Sequence, residues 1–284
     1  MSEFSYLSDK ILDAEFDYSP FKHVLIEDYL SEKHLNIVLS EEQIHFDEVY
    51  TTEELIDNLF AYGYVIQNFP GCSTDVKEYL RHYKSDSFPS QRKGNPVESF
   101  GMTFRLNRYD NPFIQEITEY FNSSEFKNAM VEKFEIGFET RIITAVQKNL
   151  SHYEISPHPD VREKGLTYLL NINKDDSISD YPIHTHLLEF KDEWKFIKDY
   201  WKTNLSKNRC WVPWDWCNTV KNTTKNNSIV LFSPNVDTLH AVKLYYDHKK
   251  FQRTQFYGNL MGVGSIVPQM NYKELIEIKN ARKV

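Results

Sequence analysis

The spacing of hydrophobic positions changes midway along the chain. In the first half they recur three and four apart, the period of a helix with one buried face. Ser31 is placed to cap a helix carrying Leu35, Val38 and Leu39. The same spacing predicts helices over 52–60, 73–83, 112–121 and 123–134. In the last of these Phe126, Met130 and Phe134 make one core stripe. Ahead of them, 21–26 reads as an extended segment following Ser19-Pro20.

The second half is punctuated differently. Segments 141–147, 166–173, 186–190, 228–233, 238–243 and 253–261 are short, aromatic or β-branched, and separated by polar turns. Six short strands in this span predict a sandwich or barrel rather than a parallel α/β sheet. Between them, 191–205 predicts an inserted helix, followed by an irregular stretch to Asn227. The expected class is α+β, with helices packed outside a double-layered β core. The expected organisation is one domain over 1–284. Residues 1–138 form a mainly helical support, 139–265 a β core with the insertion 191–227, and 266–284 a terminal helix.

Composition narrows the partners. The chain has 284 residues, 40% hydrophobic and 15% aromatic, enough for a substantial core. A formal charge of −8, with both signs interspersed, leaves no footprint for nucleic acid or an anionic membrane. No window approaches the ~18 apolar residues of a membrane span, and 1–14 alternates polar and apolar residues and lacks the cationic start and apolar run of a secretory leader. Cys72, Cys210 and Cys217 are scattered and fit neither a disulfide framework nor a zinc pattern. A cytoplasmic location is expected. Nothing in the pattern sets an oligomeric state.

The candidate chemistry sits in Ser156-Pro157-His158-Pro159-Asp160. On an extended backbone, positions two apart point to one side, so an imidazole and a carboxylate can reach one ion. His240, after the apolar run Ile229-Val230-Leu231-Phe232, supplies a third donor from a distant strand. Two histidines and one carboxylate on one face of a metal leave positions open, an arrangement suited to non-haem Fe(II). Arg253 opens the next strand, with Gln255 and Tyr257 on its face by alternation, and a guanidinium there can grip a carboxylate in two-pronged fashion.

These residues resemble the Fe(II)/2-oxoglutarate-dependent oxygenase superfamily, in its prolyl-hydroxylase-like branch. The resemblance runs through His158, Asp160, the strand start Lys164 to Thr167, His240 and Arg253. It extends to the opening segment from Ser19 to Leu30 and the helix before the core. It implies a double-stranded β-helix of jelly-roll or cupin-like type with flanking helices. The implied metal ligands are His158, Asp160 and His240. The implied 2-oxoglutarate contacts are Arg253, Lys164, Thr167, Tyr153 and Gln255. O₂ is the co-substrate, ascorbate an optional reductant, and hydroxylation, cyclisation or desaturation of an unactivated C–H bond the outcome. Many relatives carry a Gly-Gly-acidic turn between the histidines, where this chain has Tyr181 to His186.

Other readings stand beside this one. His184 and His186 are a second pair two apart, without a carboxylate between them. Arg141 is an alternative clamp, and Gln147 an alternative lining residue. Trp211, Trp214 and Trp216, broken by Pro213, read as a substrate wall. An enclosed small molecule, such as an amino acid or natural-product intermediate, is the expected substrate; a peptide, protein or glycan is the alternative. A cupin-type metal-dependent hydrolase or lyase, or a non-catalytic ligand-binding β-sandwich, would use the same scaffold without needing Arg253.

Overall fold

The structure is a computed structural model and describes residues 2–68, 72–85, 101–174, 176–181, 183–264 and 267–282. Its strands are β1 (Val24–Ile26), β2 (Tyr64–Ile66), β3 (Thr103–Leu106), β4 (Thr140–Asn149), β5 (Glu154–His158), β6 (Lys164–Asn171), β7 (Thr185–Phe190), β8 (Cys217–Thr223), β9 (Ile229–Phe232), β10 (His240–Lys243) and β11 (Arg253–Gly262). They form two antiparallel sheets. One has seven strands in the order β1-β9-β6-β11-β4-β3-β2, the other four in the order β5-β10-β7-β8. From β4 onward the chain passes between the two sheets, so that β5, β7, β8 and β10 lie in one while β4, β6, β9 and β11 lie in the other. Leu187 of the smaller sheet packs with Leu169, Val230 and Phe232 of the larger, one apolar contact between the layers.

The helices are α1 (Ser5–Asp13), α2 (Glu32–Ser40), α3 (Thr52–Ala61), α4 (Val76–Ser85), α5 (Pro112–Phe121), α6 (Ser124–Lys133), α7 (Phe196–Thr203) and α8 (Tyr272–Ala281). Their starts follow from capping chemistry. The side chains of Ser31, Thr51, Asn111 and Ser123 each accept a backbone N–H from the first turn of α2, α3, α5 and α6. Asn271 and Glu274 cap α8 reciprocally. The buried faces of α5 and α6 bring Phe121 and Phe126 against Tyr168 of β6, and Phe121 also meets Phe256 of β11. This cluster covers the outer face of the seven-stranded sheet and leaves the other face for the site.

Three expectations needed correction. Residues 1–14 are not an alternating segment. Leu7 and Ile11 fall on one side of α1 and are buried, as is Phe4 at its N-cap. The first half is not helical apart from its opening strand, because β2 and β3 extend the larger sheet beyond β4. The insertion contains a strand: β8 pairs with β7 from Thr185↔Thr223 to Phe190↔Cys217. Being an edge strand with mostly exposed polar side chains, it shows no alternation to read. Of the terminal helix expected over 266–284, residues 266, 283 and 284 lie outside the described residues, and Tyr272–Ala281 is helical. Among the described residues, no helix is long and apolar enough to cross a membrane.

A candidate metal centre at the end of the smaller sheet

Strands β5 and β10 set His158 and His240 directly opposite one another. Each imidazole is oriented by its own chain. His158 Nδ1 lies 2.8 Å from the carbonyl of Ser156, and His240 Nδ1 lies 3.0 Å from that of Thr238. A carbonyl only accepts, so Nδ1 carries the proton and Nε2 keeps its lone pair for a ligand.

Asp160 closes the group. The strand ends at His158, and Asp160 takes a left-handed backbone with φ of 62°, so its carboxylate is aimed by a turn and not by strand alternation. Its Oδ1 is 3.5 Å from His158 Nε2 and its Oδ2 is 3.6 Å from His240 Nε2. The three donor atoms lie within 4.8 Å of one another, a group that could hold a metal ion. Thr167 Oγ1 donates to Asp160 Oδ2 at 2.7 Å, and Lys164 Nζ donates to Oδ1 at 2.8 Å.

Burial by itself would raise the Asp160 carboxyl, but Lys164 and the two imidazoles outweigh it and hold it well below the usual carboxylate range. Burial, reinforced by His158, pushes His240 down to about 3. At neutral pH the group therefore offers an ionised carboxylate and a neutral His240, the protonation states that bind a cation.

The donors open onto a cavity of about 290 Å³ between the two sheets. Arg253 is in its wall, 2% exposed, with Nη1 donating to Asn149 Oδ1 at 2.7 Å and Nη2 to Thr185 Oγ1 at 2.9 Å. Burial lowers the guanidinium to about 10, which leaves it charged at neutral pH. Among the described residues no carboxylate forms an ion pair with it. A buried cation without a counter-charge is expensive, and an anionic ligand removes that cost.

Tyr153 lies beside Arg253 in the same wall, its phenol pushed far up by burial. Gly101 makes this possible, since a Cβ there would fall 2.2 Å from the Tyr153 Cα. Gln255 Nε2 donates to Asn171 Oδ1 at 2.6 Å, while its buried Oε1 has no hydrogen-bond partner among the described residues. Arg253, Tyr153 and Gln255 thus share one wall. Lys164 and Thr167, read as 2-oxoglutarate contacts, direct their donors to Asp160.

The structure separates the three tryptophans. Trp211 lines the cavity, its ring centroid 6.2 Å from that of His158. Trp214 is outside the cavity, with Nε1 donating to Glu154 Oε1 at 2.7 Å and its ring edge-on to His186. Trp216 belongs to a separate apolar cluster, stacked on Trp194 at 3.6 Å. His184 and His186 are not part of the donor group, and His186 Nδ1 meets Thr219 Oγ1 instead. Arg141 is exposed on β4, away from the cavity lining.

Two lining cations were not anticipated. Arg105 on β3 donates through Nε to Gln147 Oε1 at 3.0 Å, which places Gln147 in the wall too. The alternation of Phe104, Arg105 and Leu106 carried that signal. Arg209 sits in the irregular stretch after α7, where nothing local announces it.

No family model matches the chain, and no curated protein matches it. Among solved structures, it is similar to a Pseudomonas putida prolyl-4-hydroxylase at 8% identity and a TM-score of 0.43, covering 92% of this chain and 100% of that one. It is similar to the epimerase SnoN, solved with Fe³⁺, α-ketoglutarate and nogalamycin RO, at 8% identity and a TM-score of 0.39 over 91% and 83% of the two chains. The α-ketoglutarate-dependent carbocyclase SnoK is similar at 12% identity and a TM-score of 0.36, over 87% and 91%.

Proposed function

We propose that this chain is a non-haem Fe(II)/2-oxoglutarate-dependent oxygenase that oxidises an unactivated C–H bond of a small molecule. The observation that carries the reading is the pairing, in one cavity, of a two-histidine, one-carboxylate group with the buried and uncompensated Arg253. A hydrolase or lyase built on the same donors has no use for a fixed cation in that wall. The exchange of successive strands between the two sheets supports a double-stranded β-helix core.

His158, Asp160 and His240 would hold Fe(II). Bound together, Fe(II) and 2-oxoglutarate supply the oxidising power that the side chains lack. Arg253 would hold the distal carboxylate of 2-oxoglutarate, with Tyr153 beside it in the wall. Thr167 and Lys164 fix the Asp160 carboxylate so that one lone pair of each oxygen stays free. Trp211 narrows the cavity beside His158 and limits water. A cavity of about 290 Å³ favours a small substrate over a peptide or glycan chain.

The test is spectroscopic. Under anaerobic conditions, wild-type protein given Fe(II) and 2-oxoglutarate should show a visible charge-transfer absorption. Asp160→Asn should abolish it, and Arg253→Met should shift its appearance to much higher 2-oxoglutarate. Absence of the band in wild-type protein that has bound iron would overturn the reading.

A further inference from the structure

The stretch between α7 and the short 3-10 turn Trp214–Trp216 brings Arg209, Cys210 and Trp211 in succession to the cavity wall. Arg209 is 4% exposed, and its Nε donates to the backbone carbonyl of Asp160 at 3.1 Å. Asp160, Glu163 and Asp237 attract it through space, but none forms a contact ion pair with it among the described residues. Glu163 is already engaged by the N–H of Val267 and the amide of Asn208. Next to Arg209, the buried Trp211 Nε1 has no hydrogen-bond partner among the described residues. An indole N–H can only donate, and leaving it buried and unpaired is costly. Both residues line the cavity, Arg209 as a cation without a contact ion pair and Trp211 with a donor left without an acceptor among the described residues.

Their place relative to Arg253 follows from strand register. Arg253 bonds Thr185, which pairs with Val242, and Val242 pairs with Ile155. His240 pairs with His158 further along the same strands, and Asp160, which carries Arg209, lies beyond His158. The metal-ligand level thus falls between the two arginines. The charge of the lining agrees: Arg105, Lys164, Arg209 and Arg253 face Asp160 as the one carboxylate. A divalent metal and doubly charged 2-oxoglutarate cancel one another and leave that excess intact.

Resting on the oxygenase reading above, we infer that Arg209 and Trp211 form a binding site for a carboxylate of the substrate, which is therefore a small carboxylic acid. The guanidinium fork meets both carboxylate oxygens, and the indole N–H adds a third donor. The substrate carbon to be oxidised is then held on the Arg209 side of the metal, away from the 2-oxoglutarate wall.

Thermal midpoints of protein loaded with Mn(II) and 2-oxoglutarate test this without turnover. The probes are L-leucine, L-phenylalanine and 3-phenylpropanoate, each beside its primary amide. At least one acid should raise the wild-type midpoint while its amide does not. Arg209→Gln should weaken that response at least tenfold in concentration, with the response to 2-oxoglutarate itself unchanged. Arg209→Lys, which keeps a point charge, should retain a weaker acid response and guards against a misfolded Gln variant. Equal responses to acid and amide, no response to any acid, or an undiminished response in Arg209→Gln overturns the inference. So does loss of the 2-oxoglutarate response in a folded Arg209→Gln, which would make Arg209 a clamp for the co-substrate. A wild-type protein indifferent to 2-oxoglutarate overturns the oxygenase reading and this inference together; acid-blind but 2-oxoglutarate-responsive protein overturns this inference alone.

Discussion

His158 and His240 are register partners across the antiparallel β5–β10 pair, with ring centroids 4.3 Å apart. Because both rings are anchored by a carbonyl two residues upstream, removing either leaves the other in place. His158→Ala, Asp160→Asn and His240→Ala should each lower metal affinity by about two orders of magnitude or more while the protein remains folded. Equilibrium dialysis against Fe(II) or Mn(II), with circular dichroism as the fold control, checks it. Unchanged metal stoichiometry in any one variant removes that residue from the group.

Thr167 acts on the metal through Asp160. Its single hydroxyl proton points to Oδ2, and Asn259 Oδ1 is the more distant acceptor at 3.2 Å. Thr167→Val keeps the shape and loses the donor. Metal affinity should fall about 10-fold, and Thr167→Ser should restore most of it. Failure of Ser to rescue would mean that the methyl packing, and not the hydrogen bond, holds Asp160.

Removing one partner of a buried charge pair costs ~2–5 kcal/mol. Arg253→Met should therefore raise the dissociation constant for 2-oxoglutarate at least tenfold and leave metal affinity nearly unchanged. Calorimetric titration of the Mn(II)-loaded variant reads both. Normal 2-oxoglutarate binding would point to another cavity cation as the clamp.

Trp216 should behave as a core residue. It is 5% exposed and sandwiched in the cluster that joins α7 and α8, where Lys279 also lies over its stacking partner Trp194 at 3.4 Å. Trp216→Ala should destabilise the fold by ~3–5 kcal/mol, and Trp211→Ala by clearly less. Denaturant unfolding of the two variants decides the ranking.

Lys148 gives a pH signature far from the metal. It is fully buried and donates to the carbonyl of Ile44 and, at 2.8 Å, to Thr254 Oγ1. Burial lowers its ammonium to about 7 from 10.5. Between those values the unfolded chain binds the extra proton, so stability rises with pH across the window, and the penalty is full below it. Nearby His45, pushed down to about 3, stays neutral throughout. Lys148→Met should be more stable than wild type below pH 7 and lose that advantage toward pH 10. A pH-independent difference between the two would mean that Lys148 titrates in the fold as it does in the unfolded chain.

The candidate site was legible where its chemistry is local. His158 and Asp160 sit within three residues of sequence, and His240 and Arg253 each open a strand whose apolar run marks it. The geometry that joins His158 to Asp160 was not legible, because a left-handed residue after a strand leaves no trace in hydrophobic spacing. Arg209 was invisible for a related reason. Its position depends on a hydrogen bond to a backbone carbonyl 49 residues earlier. Trp211 and Trp216, five positions apart, went to different compartments because Pro213 and the short turn after it redirect the chain. In the fold, α5 was readable from its Pro and its periodic apolar face, whereas β8 was not, since its side chains are mostly polar and exposed.

The backbone of Asp160 gives this position two independent filters. For most residues a left-handed conformation costs ~1–2 kcal/mol, while Asn, Asp and Gly adopt it readily. Of these three, only Asp brings an anionic oxygen to the two imidazoles. Substitution by Asn or Gly would thus leave a well-formed scaffold that has shed its ligand. Glu keeps the charge but meets both the backbone strain and a side chain one methylene too long. A descendant of this chain that lost its chemistry through Asn or Gly here could persist as a binding protein with the same cavity, the same arginines and no metal.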